Sequence, residues 1–121
     1  MLKKFELMLY VDDVAMIGEF FEKALDAKII SKTRMVDDSF SLKLSLLDQV
    51  EINLYNTEFV KKYSPMVSLE MPSLMFVVDD IEETHEQVAK YAKDISTVSV
   101  QGNQKVFSFA DPEGHYFAVG N

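Results

Sequence analysis

A chain of 121 residues with 48% hydrophobic residues and nine phenylalanines has the length of one ordinary domain and ample material for a core. Its formal net charge of −8 and pI near 4.6 argue against nucleic acid and anionic membrane surfaces as partners, since both draw on clustered Lys and Arg. The absence of Cys excludes disulfides, thiolate metal sites and a Cys nucleophile.

The N-terminal run MLKKFELMLYV is short and interrupted by Glu6, so it does not read as a signal peptide. No stretch approaches the roughly 18 apolar residues of a membrane span, and the expected home is the cytoplasm. Residues 5–11 read as a strand that ends in Val-Asp-Asp. A helix follows over about 13–25, with Val14, Ile17, Phe20, Phe21, Ala24 and Leu25 at helical spacing. Three strand-like runs come next, at 27–35, 39–47 and 50–56, punctuated by Val36-Asp37-Asp38 and Asp48-Gln49. Residues 57–72 hold two of the three prolines and read as a connector. A second strand at about 73–78 then leads to a helix over about 81–93, with Ile81, Thr84, His85, Val88, Tyr91 and Ala92 on one face. Strands at 96–102, 105–111 and 115–121 complete the chain, joined at Gly102-Asn103 and Asp111-Pro112-Glu113-Gly114.

The two openings repeat one another. LMLYVDDV at 7–14 and LMFVVDDI at 74–81 share five of eight positions at a separation of 67 residues. The order predicts an α+β fold of two tandem βαβββ modules, at about 1–56 and 73–121, fused through the connector into one domain over 1–121. The shared Asp pair has a local explanation, because an Asp at a helix start accepts free backbone N–H groups and complements the positive end of the helix.

The duplicated unit, with its two Val-Asp-Asp junctions and its terminal Asp-Pro-Glu-Gly turn at 111–114, resembles the vicinal oxygen chelate superfamily. This group contains glyoxalase I, bleomycin-resistance proteins, fosfomycin-resistance enzymes and extradiol dioxygenases. The resemblance covers essentially the whole chain. It implies a cupped mixed sheet with helices on the outer face, a small-molecule ligand in the cup, and a homodimer.

Strand alternation sorts the side chains between the two faces. One parity is entirely apolar and includes Leu9, Leu44, Ile52, Phe76, Phe109 and Phe117, so it is expected to pack under the helices. The other parity is mixed and is expected to line the cup. Its candidate ligand-binding residues are Glu6, Met8, Tyr10, Lys43 and Glu51, then Asn53, Tyr55, Ser73, Met75 and Tyr116. Three of the five tyrosines lie there, beside a few polar groups, which suits a small-molecule site.

Metal-using members of the superfamily hold a divalent ion with one ligand from the first and one from the last strand of each module. Carried over by motif, these positions are Glu6, Asn53, Ser73 and Ala118, with Glu51 as the near alternative. Ala118 has no donor atom, Ser73 is a poor ligand and Asn53 a weak neutral one, so no metal and no cofactor is expected. His85 reads as a packed helix residue and His115 as part of the terminal turn. Three functional readings remain. The first is a metal-independent small-molecule-binding protein that sequesters a cationic or aromatic compound. The second is a lyase, isomerase or dioxygenase of the same superfamily, using Glu6 or Glu51 as a general base of raised pKa or an atypical metal site. The third is an interaction scaffold, with Phe59, Tyr63, Met66 and Val67 of the connector as dimer contacts under any of the three.

Overall fold

The sequence repeat is also a structural one. In the computed structural model, which describes residues 1–121, β1 (Phe5–Val11) leads to α1 (Val14–Leu25), β2 (Lys28–Arg34), β3 (Phe40–Leu47) and β4 (Val50–Asn56). After α2 (Thr57–Tyr63) come β5 (Met75–Val77), α3 (Ile81–Ala89), β6 (Asp94–Ile95), β7 (Ser99–Gln101), β8 (Gln104–Ala110) and β9 (Tyr116–Gly120). Each module builds its own sheet, in the orders β1-β4-β3-β2 and β5-β9-β8-β6, with β7 also on β8. In both, the first strand lies parallel to the last, because a crossover helix intervenes, and the other pairings are antiparallel. The α+β class and the two βαβββ modules stand. The one cupped sheet is instead two, with β1 and β5 each left as an edge strand.

The shared Asp pair does the same work in both modules. Asp13 accepts the Met16 N–H at 3.0 Å at the start of α1, and Asp80 accepts the Glu83 N–H at 3.0 Å at the start of α3. The apolar parity packs inward as alternation requires. Leu9, Val11, Leu44, Ile52 and Leu54 are buried together with Val14, Ile17, Phe20, Phe21 and Ala24 of α1. The same helix also reaches the second sheet. Phe20 lies 5.8 Å from Phe109 between ring centroids, and Phe21 lies 6.0 Å from Phe117 and 6.5 Å from Phe76. One cluster of 18 buried residues therefore spans both modules. Each fully buried Phe in it contributes about 1.5–3 kcal/mol.

Four local differences from the sequence reading have physical causes. The connector contains α2, because Asn56 accepts the N–H groups of Glu58 and Phe59 at 2.9 and 3.3 Å and so starts a helix there. Lys61 and Lys62 complement its C-terminal end. Second, β5 covers only Met75–Val77, which leaves Ser73 outside the strand. Third, α3 ends at Ala89, after which Lys90, Tyr91 and Ala92 donate to Gln87 and Val88 in a closing turn. Finally, only Ser99–Gln101 (β7) of the strand expected at 96–102 forms, with the short β6 before it at Asp94–Ile95. Ser96 diverts the ladder at that point, since its Oγ accepts the Ser108 N–H at 2.9 Å.

The terminal hairpin is organised by Asp111, which is fully buried. Its carboxylate accepts the Glu113 and His115 N–H groups at 2.9 and 3.0 Å and faces His115 Nδ1 at 2.9 Å. Gly114 closes the turn at φ +87°, a conformation that side-chain-bearing residues rarely adopt. The turn projects Glu113 onto the start of α1, where its two carboxylate oxygens accept the N–H groups of Asp12 and Asp13 at 2.8 and 2.7 Å. No helix is long and apolar enough to cross a membrane.

Candidate ligand-binding site

The mixed face of the first sheet is laid out in rows by strand register. Across the parallel β1–β4 pair, Glu6 stands level with Glu51, Met8 with Asn53, and Tyr10 with Tyr55. The antiparallel β3–β4 pair brings Lys43 beside Asn53. A depression of about 270 Å³ lies over these rows, with Glu6, Met8, Lys43, Asn53 and Tyr55 in its lining. Ser31, Thr33, Met35 and Ser41 supply its far wall, from β2 to the start of β3. The second module has a separate, smaller depression of about 180 Å³, which contains Met75, Ser96, Ser99, Gln101, Ser108 and Ala118.

The expected residues are thus divided. Five line the first depression, Tyr10 sits against Tyr55 with ring centroids 6.4 Å apart, and Glu51 is level with Glu6. Met75 belongs to the second depression, which shares no lining residue with the first. Ser73 and Tyr116 line neither. The Tyr116 hydroxyl donates to Asp94 at 2.6 Å, and that bond raises the phenol pKa above its ordinary value.

A set of four charges stands at one end of the first depression, where Glu6 and Lys43 line it and Lys4 and Glu51 lie against them. Lys43 Nζ lies 3.0 Å from Glu6 and 3.9 Å from Glu51, while Lys4 Nζ lies 2.9 Å from Glu51 and 3.5 Å from Glu6. The Asn53 amide, itself buried, donates to Glu6 at 3.3 Å. The Lys43 ammonium and the Asn53 amide together hold the Glu6 carboxyl down to about 2, and the Lys4 ammonium is raised by its bond to Glu51. This runs opposite to the raised carboxylate that general-base chemistry would use. A carboxyl that ionises near 2 is a weak base at neutral pH. The carboxylate is charged at neutral pH, but Lys43 and Lys4 offset the negative charge that was expected to draw in a cation. Lys4, absent from the sequence-derived set, completes the charged cluster.

The connector helix adds an aromatic extension that the sequence reading did not contain. Phe59 of α2 is stacked on Tyr55 at 6.5 Å with 17° between ring planes, and Tyr63 follows at 4.9 Å. Phe59 is half-buried in this stack, whereas Tyr63, Met66 and Val67 are exposed. The histidines lie elsewhere. His85 sets its ring edge against Phe107 at 4.9 Å and bonds the Ser96 carbonyl at 2.8 Å, while His115 serves the terminal turn. A larger groove of about 660 Å³ runs between the end of α1 and the start of α3. Helix-capping and surface side chains such as Asp26, Asp80 and Glu86 line it, with no aromatic group.

With this geometry in view, the sequence matches the Glyoxalase/Bleomycin resistance protein/Dioxygenase superfamily over residues 5–119. The chain belongs to that superfamily. Solved structures share the fold at low identity. The crystal structure of SMU.1112c has a TM-score of 0.76 at 18% identity, covering 100% of both chains. TioX from Micromonospora sp. ML1 has a TM-score of 0.80 at 13% identity, covering 98% of each chain. TnmS3, an antibiotic binding protein from Streptomyces sp. CB03234, has a TM-score of 0.77 at 12% identity, covering 98% of this chain and 94% of that one. No curated protein matches the chain by sequence.

The superfamily's divalent-metal pattern does not fit the residues present. Of the four carried-over positions, Ser73 lies outside β5 and Ala118 faces Met75 without a donor. Asn53 already bonds Glu6, and Lys43 sits on the same carboxylate. No three His, Asp or Glu side chains converge as a metal site would require. An ion at Glu6 would have to displace two ammonium groups.

Proposed function

We propose that this superfamily member binds a small organic molecule with an aromatic part in the depression of its first module, independently of a metal ion. The observation that supports the reading is Tyr55 in the lining, flanked by Tyr10 and Phe59, on the same face as a charged cluster whose carboxylates are already held by lysines. Apolar and aromatic walls with a few fixed polar groups are the usual make-up of a small-molecule site. The likeness to TnmS3, an antibiotic binding protein, favours sequestration over catalysis as an analogy of fold. The lyase, isomerase or dioxygenase reading needs a poised base or a metal, and the ion-paired state of Glu6 opposes both. Under this proposal the protein works in the cytoplasm as a homodimer. A groove of about 400 Å³ lined by ten apolar residues supports the dimer, two of them, Leu47 and Val77, being 71% and 70% exposed.

The test is thermal unfolding of chelator-stripped protein, alone and with Ni²⁺, Zn²⁺, Mn²⁺ or Fe²⁺. A ligand that binds the folded state at 100 times its Kd adds about 2.7 kcal/mol, roughly 10 °C for a domain of this size. No shift is expected with any of the four. A saturable rise with one of them would restore the metal-dependent enzyme. Light scattering after size exclusion tests the dimer, and a monomer at micromolar concentration would remove it.

A further inference from the structure

The first depression is polarised along its strands. Glu6 and Glu51 form one row, Met8 and Asn53 the next, and Tyr10 and Tyr55 the third. At about 3.3 Å per residue the charged and aromatic rows stand roughly 13 Å apart along the backbone, and the Lys43 side chain runs from the middle row, beside Asn53, to Glu6. The chain carries a net charge of −8, yet this charged cluster is neutral, with each of two ammonium groups within 4 Å of both carboxylates.

That balance sets a selection rule. A purely cationic ligand at Glu6 competes for a carboxylate that Lys43, Lys4 and the Asn53 amide already engage, and drawing it off Lys43 leaves that ammonium with only Glu51 at 3.9 Å in a partly buried site. A purely anionic ligand leaves a carboxylate in the same position. A molecule bearing both charges exchanges one ion pair for two and leaves none unpaired. The uncharged ring of Tyr55, backed by Phe59, offers an aromatic surface to the rest of such a molecule.

We infer that the ligand class is an aromatic zwitterion, its ring against Tyr55 and its ammonium and carboxylate set among Lys4, Glu6, Lys43 and Glu51. The inference rests on the proposed binding role of this depression. It is tested with three compounds that share a biphenyl ring: the amino acid 4-phenylphenylalanine, the amine that lacks its carboxylate, and the acid that lacks its ammonium. Isothermal titration is expected to show the amino acid binding at least tenfold tighter than either single-charge relative. Lys43→Met, which releases Glu6, is expected to move the preference toward the amine, and Glu6→Gln, which releases Lys43, toward the acid. Tyr55→Leu keeps an apolar side chain without the ring and is expected to weaken all three alike, with an unchanged circular dichroism spectrum. If the amine binds the unaltered protein as tightly as the amino acid, or if the two charge variants leave the ranking unchanged, the zwitterion is refuted while the site stands. If none of the three binds, or if Tyr55→Leu has no effect, the depression is not the site and the proposed function falls with it.

Discussion

Glu113 joins the last hairpin of the chain to the first helix, and its removal measures how far the two modules depend on each other. Its two oxygens accept the N–H groups of Asp12 and Asp13 at 2.8 and 2.7 Å, across about 100 residues of sequence. Both donors sit at the positive end of α1, so the bonds are charge-assisted and favoured by the helix dipole. Charge-assisted bonds each contribute about 1.5–3 kcal/mol; partial solvent access puts the pair near the lower end, at about 2–3 kcal/mol in total. The unfolding entropy of a 121-residue domain, at about 2.1 cal/mol/K per residue, turns each kcal/mol into roughly 4 °C. Glu113→Ala is therefore expected to lower Tm by about 8–12 °C by calorimetry, with Glu113→Gln, which keeps one acceptor, in between. Hydrogen exchange adds a local reading, since the Asp12 and Asp13 amides are expected to lose protection in the Ala variant. A Tm within about 2 °C of the unaltered protein would refute the reasoning, because water would then serve those amides as well as Glu113 does.

Three further outcomes follow from the core and the ion pairs. Phe21, buried and in contact with Phe20, Phe76 and Phe117, is expected to cost about 3–5 kcal/mol as Phe21→Ala in denaturant unfolding, and a loss below about 1.5 kcal/mol would deny that α1 holds both sheets together. Glu6 has a lowered folded-state pKa, so its contribution is complete above the ordinary value of 4.5 and disappears as pH falls toward 2. The Tm gap between the unaltered protein and Glu6→Gln is accordingly expected to narrow across that window, and a gap that is constant from pH 7 to pH 2 would contradict the Lys43 and Asn53 bonds. Asp94→Asn is expected to return the Tyr116 phenol toward its ordinary pKa of 10.0 in an ultraviolet titration, and an unchanged raised value would place the cause elsewhere.

The fold was legible because two independent patterns agreed. The Val-Asp-Asp repeat marked equivalent strand-to-helix junctions, and Asp13 and Asp80 cap their helices there. The alternation Leu7, Leu9, Val11 against Met8 and Tyr10 also separated the helix-facing side from the open side, since a strand covered on one face must alternate. The helix α2 was legible in principle, from Asn56 as its cap and Lys61 and Lys62 at its end, but the prolines at 65 and 72 gave the segment the look of an extended connector. Lys4 shares the face of Glu6 two residues on, and starting the strand at residue 5 left it unassigned. Residue types alone placed Glu6, Lys43 and Glu51 on one face. The distances that turn them from a cation trap into a neutral quartet come only from the register of β1, β3 and β4. The separation into two depressions lay beyond any strand pattern, because alternation says which way a side chain points within a sheet and nothing about how two sheets are set.

The most direct test of the binding account is a nuclear magnetic resonance map of the chelator-treated protein against a set of planar aromatic compounds. With no divalent ion present, the account requires saturable shifts that cluster at Met8, Lys43, Asn53 and Tyr55 and extend to Phe59. Shifts confined to the groove between α1 and α3, or binding that arises only when a divalent metal is added back, would contradict it.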